Sequence, residues 1–280
     1  MQPTHSALVV LAAFLAACSG RDKQPASTAA APPVITVHAK DYEFEAPDSI
    51  TAGWTTFHLV NDGPAFHHLQ IIRLDSGKTV MDFIKATNKP GPMPAWVAFI
   101  SGPNAPDPGH DSNATLELAA GSYAMLCLVD IPDNVPHFAM GMVHELTVTP
   151  ATGAGAGAAP SGAADVVLTL RDYSFSFSRP LAAGKQTIEV RTEATQPHEI
   201  EILKLAPGKT ADDVMKWVAK PVGSPPASGI GGVAGTSAGV HVRFTADLTA
   251  GDYLIACFIP DAKDGKPHAM KGMMQTIKIS

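Results

Sequence analysis

Gly121-Ser122-Tyr123-Ala124-Met125-Leu126-Cys127, with His137 and Met142 behind it, is the stretch that decides the fold, because it occurs twice. The second occurrence is Gly251-Asp252-Tyr253-Leu254-Ile255-Ala256-Cys257, followed by His268 and Met273. One offset of 131 residues, slipping to 130 in places, carries the first set onto the second. The same offset aligns Asp41-Tyr42 and Phe44 with Asp172-Tyr173 and Phe175, and His67-His68-Leu69-Gln70-Ile71 with His198-Glu199-Ile200-Glu201-Ile202. It also aligns Gly77-Lys78-Thr79 with Gly208-Lys209-Thr210, and Lys89-Pro90 with Lys220-Pro221. So many matches in one register mark a duplicated domain. Residues 151–164 form a Gly/Ala/Pro/Ser tract without a large apolar side chain and read as a linker, which puts the two domains at 34–150 and 165–280.

Within each copy, short runs rich in β-branched and aromatic residues alternate with turn clusters, the pattern of an antiparallel sandwich or barrel. Strands are predicted at 34–38, 55–60, 67–74, 114–118, 122–129 and 143–149, and again at 166–170, 187–191, 198–205, 240–246, 252–258 and 276–279. One short helix is inserted in each copy, opened by Thr79-x-x-Asp82 and by Thr210-x-x-Asp213, where a hydroxyl can cap free N–H groups and an acid suits the positive end. Both helices are expected to stop at the Lys-Pro pair, since proline disfavours the helical conformation in the residue before it. The Pro/Gly-rich stretches 91–108 and 222–239 read as long loops.

The chain of 280 residues is 45% apolar and 16% charged, so each half can bury a core of its own. A net charge of −6 and the lack of a dense Lys/Arg run argue against nucleic acid as a partner. At the N-terminus, the apolar run 7–17 is too short to span a bilayer and reads as the core of a signal peptide, 1–18. It ends in Leu15-Ala16-Ala17-Cys18, which resembles the lipobox of bacterial lipoproteins and implies a lipid on Cys18. Residues 19–33 then read as a flexible tether. The expected address is the bacterial cell envelope, lipid-anchored, with the outer membrane or cell surface preferred because Ser19 rather than Asp follows the cysteine.

The residues able to carry chemistry come in the order His, Cys, His, Met, twice. His67 lies 60 residues before Cys127, His137 follows after nine intervening residues, and Met142 after four more. His198, Cys257, His268 and Met273 repeat this with gaps that differ by at most one residue. Two imidazoles and a thiolate in a trigonal plane, with a weak axial thioether, form the blue-copper arrangement, in which sulfur suits Cu(I) and imidazole suits Cu(II). Singly, each residue has a plainer reading, a buried Cys as a small hydrophobe and a Met as core. The duplicated order favours the metal. A disulfide between Cys127 and Cys257 is disfavoured because they hold equivalent positions in separate domains. His38, His58, His68 and His144 lack counterparts and read as surface or satisfied core groups; His110 and His241 nearly correspond but are not read as a site. Met125, Met140, Met270 and Met274 read as packing, with extra thioether contacts to Cu(I) as the alternative.

Three features give the sequence its resemblance to the cupredoxin family: Asn61-Asp62-Gly63 leading to His67, the Gly-x-Tyr-x-x-x-Cys strands ending at Cys127 and Cys257, and His-x-x-x-x-Met ending at Met142 and Met273. The resemblance covers most of both halves. It implies an all-β fold of two tandem Greek-key β-sandwich domains with one type 1 copper at the end of each. By position, His67 and His198 are the upstream imidazoles, Cys127 and Cys257 the thiolates, His137 and His268 the downstream imidazoles, and Met142 and Met273 the axial ligands. After the upstream His, where the family often has Asn, stand His68 and Glu199. The expected function is an envelope copper protein passing single electrons to a redox-partner protein. A copper-holding or delivery lipoprotein, and a metal-free binding module on the same scaffold, stay open beside it. An enzyme is not expected, because copper nitrite reductases and multicopper oxidases place a His directly beside the ligand Cys, whereas Leu126, Leu128, Ala256 and Phe258 flank the cysteines here.

Overall fold

Alternation of buried and outward-facing side chains, carried most clearly along Gly53–Asn61, builds nine strands among the described residues of the first half. They are β1 (Val34–Lys40), β2 (Glu43–Glu45), β3 (Ser49–Thr51), β4 (Gly53–Asn61), β5 (Gln70–Leu74), β6 (Val97–Ser101), β7 (Asp111–Leu118), β8 (Gly121–Leu126) and β9 (Val143–Thr149), with helix α1 (Val80–Thr87) between β5 and β6. The second half runs β10 (Val166–Arg171), β11 (Ser174–Phe177), β12 (Gly184–Thr192), β13 (His198–Leu205), α2 (Ala211–Ala219), β14 (Ala227–Thr236), β15 (His241–Leu248), β16 (Gly251–Ala256) and β17 (Met274–Ile279). This computed structural model describes residues 31–87, 93–130, 135–152 and 157–280. The expected signal peptide with Cys18, most of the tether and the Lys89-Pro90 pair lie outside them.

Each half is a two-sheet sandwich of mainly antiparallel strands. In the first, β2-β1-β4-β7 faces β3-β9-β8-β5-β6; in the second, β11-β10-β12-β15 faces β17-β16-β13-β14. Side chains on β8 show why both faces of the second sheet are buried. Tyr123 and Met125, with Cys127 just beyond the strand, point into the sandwich beside Phe57, Leu59 and Leu146, while Ala124 and Leu126 point out under Val80 and Phe83 of α1. Tyr253, Ile255 and Cys257 face inward in the same way, and Leu254 and Ala256 lie against Val214 of α2. The tyrosine hydroxyls tie each strand to the turn before it, Tyr123 donating to Ala119 O at 2.7 Å and Tyr253 to Thr249 O at 2.9 Å. The helices begin as the sequence implies: Asp213 N–H donates to Thr210 Oγ1 at 3.3 Å and Thr210 N–H to Asp213 Oδ2 at 2.9 Å, a capping box that Thr79 and Asp82 reproduce.

The fold class is the one expected, an all-β pair of sandwiches with a helix in each. The Gly-rich stretch 222–239, however, is not a loop. It holds the ten-residue strand β14, and β6 lies inside 91–108. Glycine there marks close backbone approach rather than a turn. A Cβ on Gly229 would sit 2.5 Å from Ala105 O, and one on Gly231 would sit 2.7 Å from Ser112 Cβ, so β14 packs directly on the first half. Bridges pair Pro103 with Val233 and Pro106 with Ile230. Beside them β7 pairs with β15, through Leu116 with Val242 and Thr115 with Arg243, fusing the two first sheets into one of eight strands. Residues 157–162 also lie against the sheets: Trp54 N–H donates to Gly157 O at 3.2 Å, and Arg243 Nη1 to Gly162 O at 2.9 Å.

Gly102 and Gly232 hold equivalent places, each two residues past a bulge at Ile100 or Ile230, beside the strand that leads away from each upstream histidine. Their φ values are 147° and 139°, and an added Cβ would fall 1.9 Å from Leu69 O and 2.0 Å from Ile200 O. Gly102→Ala or Gly232→Ala is therefore expected to cost more than about 3 kcal/mol in urea unfolding. Gly208→Ala, with φ 74° but open space around it, should cost only about 1–2 kcal/mol.

Candidate metal centres

Three segments meet at one end of each sandwich. The first enters after β4, where Asn61 Nδ2 donates to Ala65 O at 2.9 Å and to Pro106 O at 3.0 Å while its Oδ1 accepts from Gly63 N–H, stapling the loop that carries His67. The second is the end of β8. Cys127 N–H donates to Met142 O at 3.3 Å and Cys127 O accepts from Phe138 N–H at 2.8 Å. The third is a 3-10 turn, His137–Met140, closed by Gly141 at φ 110°, with His137 N–H held by Val129 O at 2.9 Å. The bonds of the second and third segments recur in the second half: Cys257 N–H to Met273 O at 3.1 Å, Ala269 N–H to Cys257 O at 2.8 Å, and His268 N–H to Ile259 O at 3.0 Å.

The outcome is a triangle of donor atoms. In the first half, Cys127 Sγ lies 4.0 Å from His67 Nδ1 and 3.4 Å from His137 Nδ1, and the two nitrogens are 3.1 Å apart. The point equidistant from these atoms is about 2.1 Å from each, the length of an ordinary metal–imidazole bond. In the second half, Cys257 Sγ lies 3.9 Å from His198 Nδ1 and 3.4 Å from His268 Nδ1, and the three donors all fall within 4.8 Å of one another. Both cysteines are free thiols and fully buried. Met142 and Met273 are also fully buried, in the same core as the cysteines, and their N–H groups donate to the carbonyls of His137 and His268 at 3.0 Å. The structure thus gathers His67, Cys127 and His137, and His198, Cys257 and His268, with a methionine backbone closing each loop. His110 is exposed and bonds Pro108 O, while His241 opens β15 on the sheet, so these two form no cluster with each other. Met140, Met270 and Met274 are exposed, whereas Met125 is buried in the sandwich.

Electrostatics suit a cation. Burial, then the neighbouring imidazole, pushes His137 and His268 down to about 4, while burial pushes the Cys127 thiol up to about 12 and raises Cys257 as well. Without an ion the cluster therefore carries a thiol and neutral imidazoles, and a bound cation takes the place of the thiol proton. The carboxylate of Asp41 accepts from His67 Nε2 at 3.3 Å, and that of Asp172 from His198 Nε2 at 2.9 Å. With the ring proton held on Nε2, the Nδ1 lone pair faces the cluster. A thiol, two imidazoles whose Nδ1 atoms face it and a neighbouring methionine fit copper by the softness of the donors.

Sequence reasoning missed three groups. The His68 ring, expected as a surface or satisfied core group, is buried with Nδ1 3.7 Å from Cys127 Sγ, and burial lowers it to about 3. Asp41-Tyr42 and Asp172-Tyr173 served only as anchors of the repeat, yet each reaches the imidazoles of its own half. Their recurrence at one offset was the signal available.

No protein-family profile matches the sequence, and no curated protein matches it. Solved structures similar in fold include dithionite-reduced auracyanin from Roseiflexus castenholzii, 21% identical, covering 43% of this chain and all of that one at a TM-score of 0.30. They also include a multicopper oxidase, 13% identical over 88% of each chain at 0.25, and a copper nitrite reductase from Nitrosomonas europaea, 16% identical over 90% of this chain and 94% of that one at 0.26. Each half of the chain is cupredoxin-like in fold and carries a His–Cys–His cluster able to hold a metal. The expectation that the chain is not an enzyme is corrected by the same comparisons, because enzymes stand among the similar structures and match across both halves. The residues flanking Cys127 and Cys257, on which that expectation rested, do not speak for the rest of the surface.

Folded His137 and His268 take up protons only near pH 4, whereas an unfolded imidazole does so near about 6.5. Between those values the unfolded chain binds more protons. The metal-free protein is therefore expected to lose stability steadily as pH falls from about 6.5 to about 4, in a thermal-unfolding series. The slope should flatten in the His137→Gln, His268→Gln double variant.

Proposed function

We propose that this chain is an envelope copper protein with one mononuclear type 1-like centre in each half, acting as a one-electron carrier. The observation that carries the reading is the recurrence, in both halves, of the same buried His–Cys–His triangle with a methionine closing its loop. Copper bound there would supply a one-electron couple between Cu(I) and Cu(II). The protein's part is to hold the donors still. Backbone bonds on both sides of each cysteine fix the sulfur, Asp41 and Asp172 fix the tautomer and tilt of the upstream rings, and the sandwich keeps water from the donors. A lipid on Cys18 would tether the protein to the envelope membrane, on the outer-membrane or surface side, where a redox-partner protein meets it; nucleic acid has no place in this reading.

Metal analysis with a visible spectrum, on the chain lacking residues 1–18, tests the centres. One copper per half is expected, with an intense sulfur-to-copper band, and Cys127→Ser and Cys257→Ser should each remove one equivalent and part of the band. A protein that takes up no copper, or keeps both equivalents in the double serine variant, defeats the reading. Tight Cu(I) uptake without reversible oxidation would favour copper holding or delivery over electron transfer. For the anchor, Cys18→Ser is expected to move the full chain from the membrane fraction to the soluble one; continued membrane retention counts against the lipid.

A further inference from the structure

Both downstream imidazoles are closed off from solvent, His137 being 2% exposed and His268 0%. Tyr42 lies edge-on to His137 with ring centroids 5.3 Å apart, and Tyr173 lies edge-on to His268 at 5.5 Å. These tyrosines sit in the turns between β1 and β2 and between β10 and β11, with φ of 61° and 64°, a left-handed conformation that bulky residues rarely adopt. The preceding Asp41 and Asp172 accept from the upstream imidazoles. One strained dipeptide thus touches both rings of each centre, and its strain persists only where surrounding bonds hold it.

Those bonds differ between the halves. Tyr173 Oη donates to Asp261 Oδ2 at 2.5 Å, and Gln196 Nε2 donates to Tyr173 Oη at 3.2 Å and to Asp261 Oδ2 at 3.1 Å. The Lys271 ammonium lies 5.8 Å from the centre of the Tyr173 ring and 3.5 Å from Asp261 Oδ1. Thr195 donates its N–H and its hydroxyl to Asp172, at 3.2 and 2.6 Å. At the repeat offset, Pro64, Ala65 and Met140 stand in place of Thr195, Gln196 and Lys271. Proline has no N–H to give, alanine no amide, and methionine no charge. Among the described residues, no hydrogen bond from the Tyr42 hydroxyl replaces them.

We propose that Tyr42 and Tyr173 are the covers of the two centres, and that the latch holding the second through Thr195, Gln196 and Lys271 is one that Pro64, Ala65 and Met140 cannot make for the first. The first half is then the exchanging site, where copper enters and leaves, and the second is the retaining site. This rests on the metal reading above, but the covers can be tested without metal.

In the metal-free full-length chain, peptide-resolved labelling with N-ethylmaleimide should modify Cys127 about tenfold or more faster than Cys257. Tyr173→Phe keeps the ring and removes the latch, and should speed Cys257 labelling about tenfold, whereas Tyr42→Phe should leave Cys127 within about twofold. Gln196→Ala breaks the same latch from outside the cover and should move Cys257 in the same direction, which serves if Tyr173→Phe fails to fold. In copper-loaded protein, a Cu(I) chelator such as bathocuproine disulfonate should empty the first half before the second, and Tyr173→Phe should abolish that order. Equal labelling of the two cysteines, or a Cys257 rate unmoved by the latch substitutions, overturns the proposal. If the labelling order holds in a protein that takes no copper, the covers stand and the metal reading falls.

Discussion

Cys127 and Cys257 are each held by two backbone hydrogen bonds, the N–H to the carbonyl of Met142 or Met273 and the C=O from the residue after the downstream histidine. The rest of each centre depends on that clamp. It stops β8 and β16 just before the cysteine, whose side chain faces the sandwich interior, and it folds the following loop back so that His137 and His268 meet the sulfur. It also places the methionine beside the cysteine without any help from the loop's length, which is one residue longer in the second half. A rigid thiol in a dry interior is costly to ionise, as the rise of Cys127 to about 12 shows, so the cluster is arranged around a charge that only a cation can compensate.

Duplication preserved this clamp while the surroundings drifted. The residue after the upstream histidine turns its backbone to the sulfur in both halves, but its side chain differs: the His68 ring lies 3.7 Å from Cys127 Sγ, whereas Glu199 turns its carboxylate to Phe258 N–H, at 2.7 Å. Glu199 and Glu201 are buried between the halves, close to Asn104, and burial lifts Glu199 to about 7 and Glu201 well above the ordinary carboxylate range. Buried acids of this kind are tolerated when protonated and hydrogen-bonded, and Ala105 N–H reaches Glu201 Oε2 at 3.3 Å. The contact between halves thus sets polar groups and glycines beside apolar residues that run on from one half to the other.

Much of the scaffold was legible because a repeat supplies its own alignment. The main strands around Tyr123, Cys127, Tyr253 and Cys257 follow from period-two alternation ending in a fixed motif, and the helix starts follow from local capping chemistry at Thr79 and Thr210. The short strands β2, β3 and β11 carry too few residues to show a period. β14 escaped notice for a different reason: its glycines at 229, 231, 232 and 235 answer to the neighbouring half, and nothing local distinguishes close approach from a turn.

By itself the sequence determined the duplication, the sandwich class and the ordered His, Cys, His and Met residues of each half, because all of these are written as spacing along one chain. Only the tertiary structure decided that six of those side chains converge as two triangles, that Asp41-Tyr42 and Asp172-Tyr173 reach across to them, and that the two first sheets join edge to edge. These depend on segments far apart in the chain meeting at a point. Whether two atoms lie 3 or 10 Å apart is set by packing and loop closure, which no local pattern of residues encodes.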